Sequence, residues 1–171
     1  EKLLEKTPHA LLFEGPKGVG MVENARAFAH KLLESDKTEH PDLREYYPEG
    51  KALLHPMHNI RALIHETETP PFEATCKVFL IHDADRMLPT SMNALLKTLE
   101  EPVTNCVMIL ITSHPQALLP TITSRCFSVS FAHPSHEGAE ETISRAMFYL
   151  GAAFLHKEHP PLKEYGEIQN K

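Results

Sequence analysis

Two glycines five positions apart, Gly15 and Gly20, follow the apolar run LLF at 11–13 and precede a helical pattern, with Gly18 between them. Strand, glycine loop, helix is the order of a phosphate loop, G-x-x-x-x-G-K-[ST], whose backbone N–H groups and helix N-terminus face phosphate oxygens. Here the two positions that carry the loop's chemistry are changed. Met21 stands where a lysine would offset charge on the β- and γ-phosphates, and Val22 where a hydroxyl would help hold Mg2+. A thioether brings no charge and an isopropyl group no lone pair. Lys17 lies inside the loop, where its side chain starts from the wrong place to substitute. The residues Gly15, Lys17, Gly18, Gly20, Met21 and Val22 therefore read as a degenerate phosphate loop that retains a weak anion seat at most. The alternative is a glycine-rich turn that never meets a nucleotide.

A second group of polar residues lies where the strand KVFLI (77–81) runs into His82, Asp83, Ala84 and Asp85. A working loop needs an acid at the end of a neighbouring strand to organise Mg2+. With the lysine and hydroxyl gone, Asp83 and Asp85 read as solvated carboxylates at a polar strand end, and no metal is expected. His40, His55 and His58 lie in or beside residues 34–56 without the regular spacing of a metal site. The other histidines are scattered and expected at the surface. Three cysteines, Cys76, Cys106 and Cys126, are odd in number and form no C-x-x-C pair. Neither a disulfide framework nor a thiolate zinc site follows, and a reducing, cytoplasmic setting is expected.

The elements that must position these residues alternate. Runs at 10–13, 78–81, 107–111 and 127–131 read as strands. The middle two, VFLI and VMILI, are continuously apolar, as in a parallel sheet covered on both faces. The run FSVSF alternates, with Phe127, Val129 and Phe131 on one face, as nearer an edge. Val22, Ala25, Ala29, Leu32 and Leu33 line one helix, Met57, Ile60 and Ile64 a second, and Met92, Leu95, Leu96 and Leu99 a third. Pro102 stops the third near Glu101. A fourth starts at Ser135, with Ile143, Met147, Leu150 and Phe154 inward. The fold class is α/β, a three-layer sandwich with a parallel sheet. Residues 34–56, broken by Pro41, Pro48, Gly50 and Pro56, read as a long surface excursion. The strands stop before Pro134, so a boundary is expected between 1–133 and 134–171.

The chain has 171 residues, 42% hydrophobic, with 17 basic and 23 acidic side chains for a net charge of −6. That is enough apolar content for a core and excludes disorder. No apolar run reaches the roughly 18–20 residues of a membrane span, and no secretory signal pattern is visible. The acidic balance argues against coating nucleic acid through an overall field.

Residues 77–131, and within them NALLKTLEEP at 93–102 and Ser124-Arg125-Cys126, closely resemble the AAA+ subunits of bacterial DNA polymerase III clamp loaders. HPDL at 40–43 also fits, and the resemblance covers roughly residues 8–135. It implies a P-loop NTPase (AAA+) domain followed by a partial helical lid over 134–171, with the C-terminal collar domain absent and the chain a fragment. Met21 and Val22, His82 where the magnesium-organising Asp would stand, and Asp83 where the catalytic Glu would be are similar to the delta-prime branch. That branch keeps the fold without hydrolysis. No cofactor is then expected. ATP is bound by a neighbouring subunit, and the four-cysteine zinc module of many members is absent.

The resemblance gives Arg125, in the SRC motif, the role of an arginine finger that reaches a neighbour's ATP, with Cys126 a packing residue. Such a finger is worth roughly 10³–10⁵ in rate. Thr112, where ATPases of this kind sense the γ-phosphate, is expected to be structural. The implied partners are the tau/gamma and delta subunits, with the sliding clamp and primed DNA met through the assembled complex and no membrane. The competing readings are an ATP-hydrolysing tau/gamma-like subunit and an unrelated nucleotide- or anion-binding α/β module.

Overall fold

The computed structural model describes residues 7–35, 37, 39–101 and 103–132. These belong to the first of two units, Glu1–His133 and Pro134–Lys171, into which the chain divides. The helix expected from Ser135 and the lid over 134–171 lie outside the described residues.

Among the described residues five strands form one parallel sheet: β1 (Ala10–Glu14), β2 (Leu43–Tyr46), β3 (Lys77–Ile81), β4 (Cys106–Thr112) and β5 (Phe127–Ser130). Their order is β2-β3-β4-β1-β5. The inner strands are the continuously apolar ones, and Leu11, Leu12, Phe79, Leu80, Ile109 and Leu110 have no measurable exposure. Burying each such side chain stabilises the fold by about 1.5–3 kcal/mol. At one edge β5 alternates as expected, with Phe127 and Val129 half-buried and Ser128 and Ser130 exposed.

Among the described residues the α-helices are α1 (Met21–Leu32), α2 (Met57–Thr67), α3 (Pro89–Glu100) and the single turn α4 (Pro120–Thr123). Ile60, Leu63, Met92, Leu95, Leu99 and Ile122 bring α2, α3 and α4 onto one face of the sheet, against Leu12, Phe79, Ile81, Met108 and Leu110. The other face receives α1, which packs on β1, β3 and β4. Its buried row includes Phe28 beside Ala25, Ala29 and Leu32, whereas Val22 is only half-buried. Proline punctuates the helix starts. Pro89 and Pro120 occupy first-turn positions, where a missing N–H leaves no hydrogen bond unmade. Among the described residues, no helix is long and apolar enough to cross a membrane.

Residues 34–56 are not the surface excursion expected of them. They contain β2, paired in register with β3 from Leu43 beside Val78 to Tyr46 beside Ile81, and they bury His40, Asp42 and His55. As an edge strand, β2 is held by polar partners and one ring contact. Arg44 Nε donates to Glu66 (3.0 Å), and Tyr46 stacks on Phe79 at 6.5 Å between centroids. Just before it, the Asp42 carboxylate accepts the backbone N–H groups of Phe72, Glu73 and Ala74 at 2.6, 2.8 and 2.8 Å. His40 Nδ1 accepts the Asp42 N–H (3.1 Å). HPDL thus staples the start of β2 to the loop before β3. Burial alone would raise the Asp42 pKa, but the three N–H donors outweigh it and hold the carboxyl below its ordinary value.

Candidate functional site

The glycine loop leaves β1 at the carboxyl ends of the strands, beside β4, where successive connections depart in opposite directions; ligands of open α/β sheets bind at such a point. The Gly15 N–H donates to Thr112 O (3.3 Å). A Cβ on Gly15 would lie 2.4 Å from Phe131 O, so only glycine lets the chain pass the end of β5. Gly20 caps α1 at φ 84°, ψ 17°, in the left-handed region. Asn24 fixes that cap from within α1, its backbone N–H and its Nδ2 both donating to Gly20 O at 2.9 and 2.8 Å. Sequence reasoning passed over Asn24, a polar residue in an apolar helical row. Between the loop, the first turn of α1, the end of β3 and Thr112 lies a cleft of about 360 Å³.

Its chemistry is poor in cations. Met21 is buried and contributes an apolar surface. The charged side chains lining the cleft are Lys17, Glu23 and Asp83, a negative balance. Lys17 Nζ is 3.9 Å from Asp83 Oδ1, with the two side chains 71% and 46% exposed, a pair worth close to nothing in water. Thr112 donates through Oγ1 to Asp85 Oδ1 (2.5 Å) and accepts the His114 N–H (3.0 Å). Asp85 is therefore not the solvated carboxylate expected. Its side chain is 8% exposed and ties the turn after β3 to the end of β4.

His82, expected at a solvated strand end, is buried. Its Nε2 donates to Glu45 Oε2 (2.8 Å), and its ring stacks on Tyr47 at 4.1 Å and 6°. Arg26 on α1 closes the cluster, donating from Nε and Nη2 to Glu45 (3.0 and 2.9 Å) and from Nη2 to the Tyr47 oxygen (2.7 Å), while the Tyr47 hydroxyl donates to Glu45. Burial pulls Glu45 upward, but the donors from Arg26, Tyr47 and His82 win and lower it to about 2. Burial pushes the His82 pKa down and keeps the ring neutral. The Nε2 of His82 is thus committed to a carboxylate on β2. No linear pattern signalled this meeting of three distant segments.

The buried histidines are a further correction. His55 donates from Nε2 to His82 O (2.7 Å), His40 faces Glu73 at 3.3 Å, and His58 is exposed. The three go to different surroundings, and among the described residues no group of three or more His, Cys, Asp or Glu is placed to hold a metal.

Arg125 follows Ser124, the C-cap of α4. Its Nη2 lies 2.6 Å from Glu100 Oε1 at the end of α3, and Nη1 donates to Thr121 O (2.9 Å). It is absent from the lining of the chain's own cleft. Cys126 packs half-buried against the core, where burial pushes its thiol up to about 12. Cys106 rises likewise to about 12 and Cys76 to about 11, so none is a thiolate near neutral pH.

Comparison with known proteins places this geometry among replication proteins. Residues 3–135 match the family model described as DNA polymerase III, delta subunit. DNA polymerase III subunit delta' of Bacillus subtilis is 35% identical over 157 residues, 81% of this chain and 46% of that protein. Subunit tau of the same organism is 31% identical over 75% of this chain and 25% of its own length. The chain spans about half the length of the delta' relatives it matches. Among solved structures, a DNA polymerase III gamma subunit-related protein of Thermotoga maritima matches with a TM-score of 0.62 and 27% identity, over 90% of this chain and 55% of the other. The expected α/β AAA+ architecture holds.

Proposed function

The chain belongs to the DNA polymerase III delta-subunit family, and from that membership we propose that it acts as a delta-prime-like, non-hydrolysing subunit of a clamp loader. In this reading it supplies Arg125 to ATP held by a neighbouring tau/gamma subunit. It supports loading of the sliding clamp onto primed DNA within a complex that also contains delta. The observation that carries the reading is the cleft itself. The loop keeps its glycine geometry and its capped helix, but Met21 and Val22 leave it without the ammonium and the hydroxyl of a nucleotide site.

The hydrolysing alternative needs another cation in place of the missing lysine. Lys17, largely exposed and beside Asp83, is poorly placed for that. Arg125 has the features a finger requires: a surface position, a guanidinium held at two points, and a location away from the chain's own cleft. A guanidinium set against a neighbour's γ-phosphate stabilises charge that develops in the transition state.

The test is ATP turnover measured twice. The protein alone is expected to release no phosphate above background. A loader reconstituted with Arg125→Ala is expected to lose turnover at the one site that this arginine completes, by roughly 10³-fold or more. Turnover by the protein alone would refute the non-hydrolysing role. Unchanged turnover in the Arg125→Ala complex would refute the contribution in trans.

A further inference from the structure

Two sequence motifs that lie far apart, LEEP ending at 102 and SRC at 124–126, meet in the fold. Glu100 is the last residue of α3 and Arg125 the first after the cap of α4. Leu99 and Ile122, their near neighbours in the chain, are both buried in the same cluster, so the core sets the spacing between the two charged side chains. Arg125 Nη2 sits 2.6 Å from Glu100 Oε1, and Nη1 donates to Thr121 O at 2.9 Å and reaches Ser124 Oγ at 3.4 Å.

This seat is electrostatically coherent. A carboxylate at a helix C-terminus is opposed by the helix dipole. Glu100 and Glu101 both stand at that end of α3, and a guanidinium offsets them. Thr121 O is one of the terminal carbonyls of α4, and it accepts both the hydroxyl of the C-cap Ser124 (3.3 Å) and Arg125 Nη1. Arg125 therefore rests between the carboxyl ends of two helices, anchored through both Nη atoms while its side chain stays 34% exposed.

We infer that Glu100 is the positioning residue for Arg125, holding its guanidinium ready for a phosphate on a neighbouring subunit. The inference rests on the trans role proposed above and names the residue through which that role is prepared. An unrestrained arginine loses much rotamer freedom when it engages a ligand. A guanidinium already fixed at both Nη atoms has lost most of that freedom beforehand, which is the benefit of preorganisation.

The experiment has two arms. In the free protein, 15N relaxation of the Arg125 side chain is compared between wild type and Glu100→Ala. Restricted motion in the wild type and free motion in the variant are expected. Equal mobility in the two would overturn the inference. In a reconstituted loader, Glu100→Ala is expected to lower kcat about tenfold with KM for ATP unchanged, and Glu100→Gln, which keeps an acceptor oxygen, to recover part of it. The pair Glu100→Ala, Arg125→Ala is expected to be no worse than Arg125→Ala alone, because Glu100 acts only through the arginine. A Glu100→Ala loss that persists in the Arg125→Ala background would mark a merely structural effect and overturn the inference. So would a silent Glu100→Ala beside a damaging Arg125→Ala. If Arg125→Ala itself is silent, the trans role falls, and with it the need for a positioning residue.

Discussion

Replacing Asp42 by alanine removes one acceptor from three backbone donors at once. The N–H groups of Phe72, Glu73 and Ala74 approach its carboxylate at 2.6, 2.8 and 2.8 Å. A hydrogen bond to a charged group contributes about 1.5–3 kcal/mol net, so three would sum to more than the loop can lose. Phe72 is 82% exposed, so water reaches the loop and rehydrates part of what is freed. The expected destabilisation is accordingly about 3–5 kcal/mol, which for a unit of this size lowers Tm by roughly 10–20 °C. Asp42→Asn keeps one carbonyl oxygen but turns an amide donor toward an N–H, and is expected to lose about 2–3 kcal/mol. Urea denaturation at neutral pH measures both. Amide hydrogen exchange adds the local readout, with protection lost at 72–74 beyond what global destabilisation explains. A loss under about 1 kcal/mol with unchanged exchange at those amides would refute the assignment of Asp42 as the anchor of the loop. Because the native pKa is lowered, the contribution is present above the ordinary carboxylate pKa and disappears as pH falls through the native value.

Gly15→Ala forces a Cβ to within 2.4 Å of the Phe131 carbonyl and is expected to destabilise by about 2–3 kcal/mol. Gly18→Ala meets no atom and carries only the strain of its φ of 83°, about 1–2 kcal/mol; thermal melts that rank Gly18→Ala as the worse would contradict the close-approach argument. Burial holds His55 and His82 below their ordinary pKa, so the unfolded chain binds more protons than the native one below about pH 6.5. Stability should fall as pH drops through that value and level off below the native pKa values, with a second loss as Glu45 protonates between 4.5 and about 2; a urea midpoint that stays flat from pH 8 to 5 would exclude the histidine part. Restoring the loop residues with Met21→Lys and Val22→Thr together is expected to yield no phosphate release by the protein alone. Glu23 and Asp83 still leave the cleft short of positive charge, and His82 remains tied to Glu45. Turnover above background would show that those two side chains were all the site lacked.

The inner strands were readable because burial on both faces leaves a continuous signature: VFLI and VMILI admit no polar residue. The loop was readable because Gly15, Gly18 and Gly20 keep a fixed spacing between strand and helix, with Gly18 and Gly20 at positive φ, whereas the crowding of Gly15 by Phe131 is a tertiary contact that the pattern does not announce. β2 was hidden for the opposite reason. LREY has one edge free, and its Arg44 and Glu45 are satisfied by Glu66 and Arg26, partners that no local pattern announces. His82, Asp42 and Asp85 were misread or passed over in the same way. A polar residue looks solvated in a linear sequence, and only the fold brings the Glu45 carboxylate, the N–H groups of 72–74 or the Thr112 hydroxyl to meet it. The seat of Arg125 on Glu100 belongs with these, since each half was legible as a motif but their contact was not.

The strand order also sets a timetable. β1 lies between β4 and β5, with Leu11 beside Ile109 on one flank and Phe127 on the other, partners made roughly a hundred residues later. At translation rates of about 5–20 residues per second, β1 waits roughly 5–20 seconds for either neighbour. β3 needs only β2 behind it and β4 shortly after. Synthesis therefore completes β2, β3 and β4 as the first adjacent set of strands, and β5, the second partner of β1, last. Long-range parallel pairings of this kind are slow to form. Until then Leu11, Leu12 and Phe13 have neither of their partners in this sheet, and the close approach of Gly15 to Phe131 is among the last contacts that synthesis makes possible.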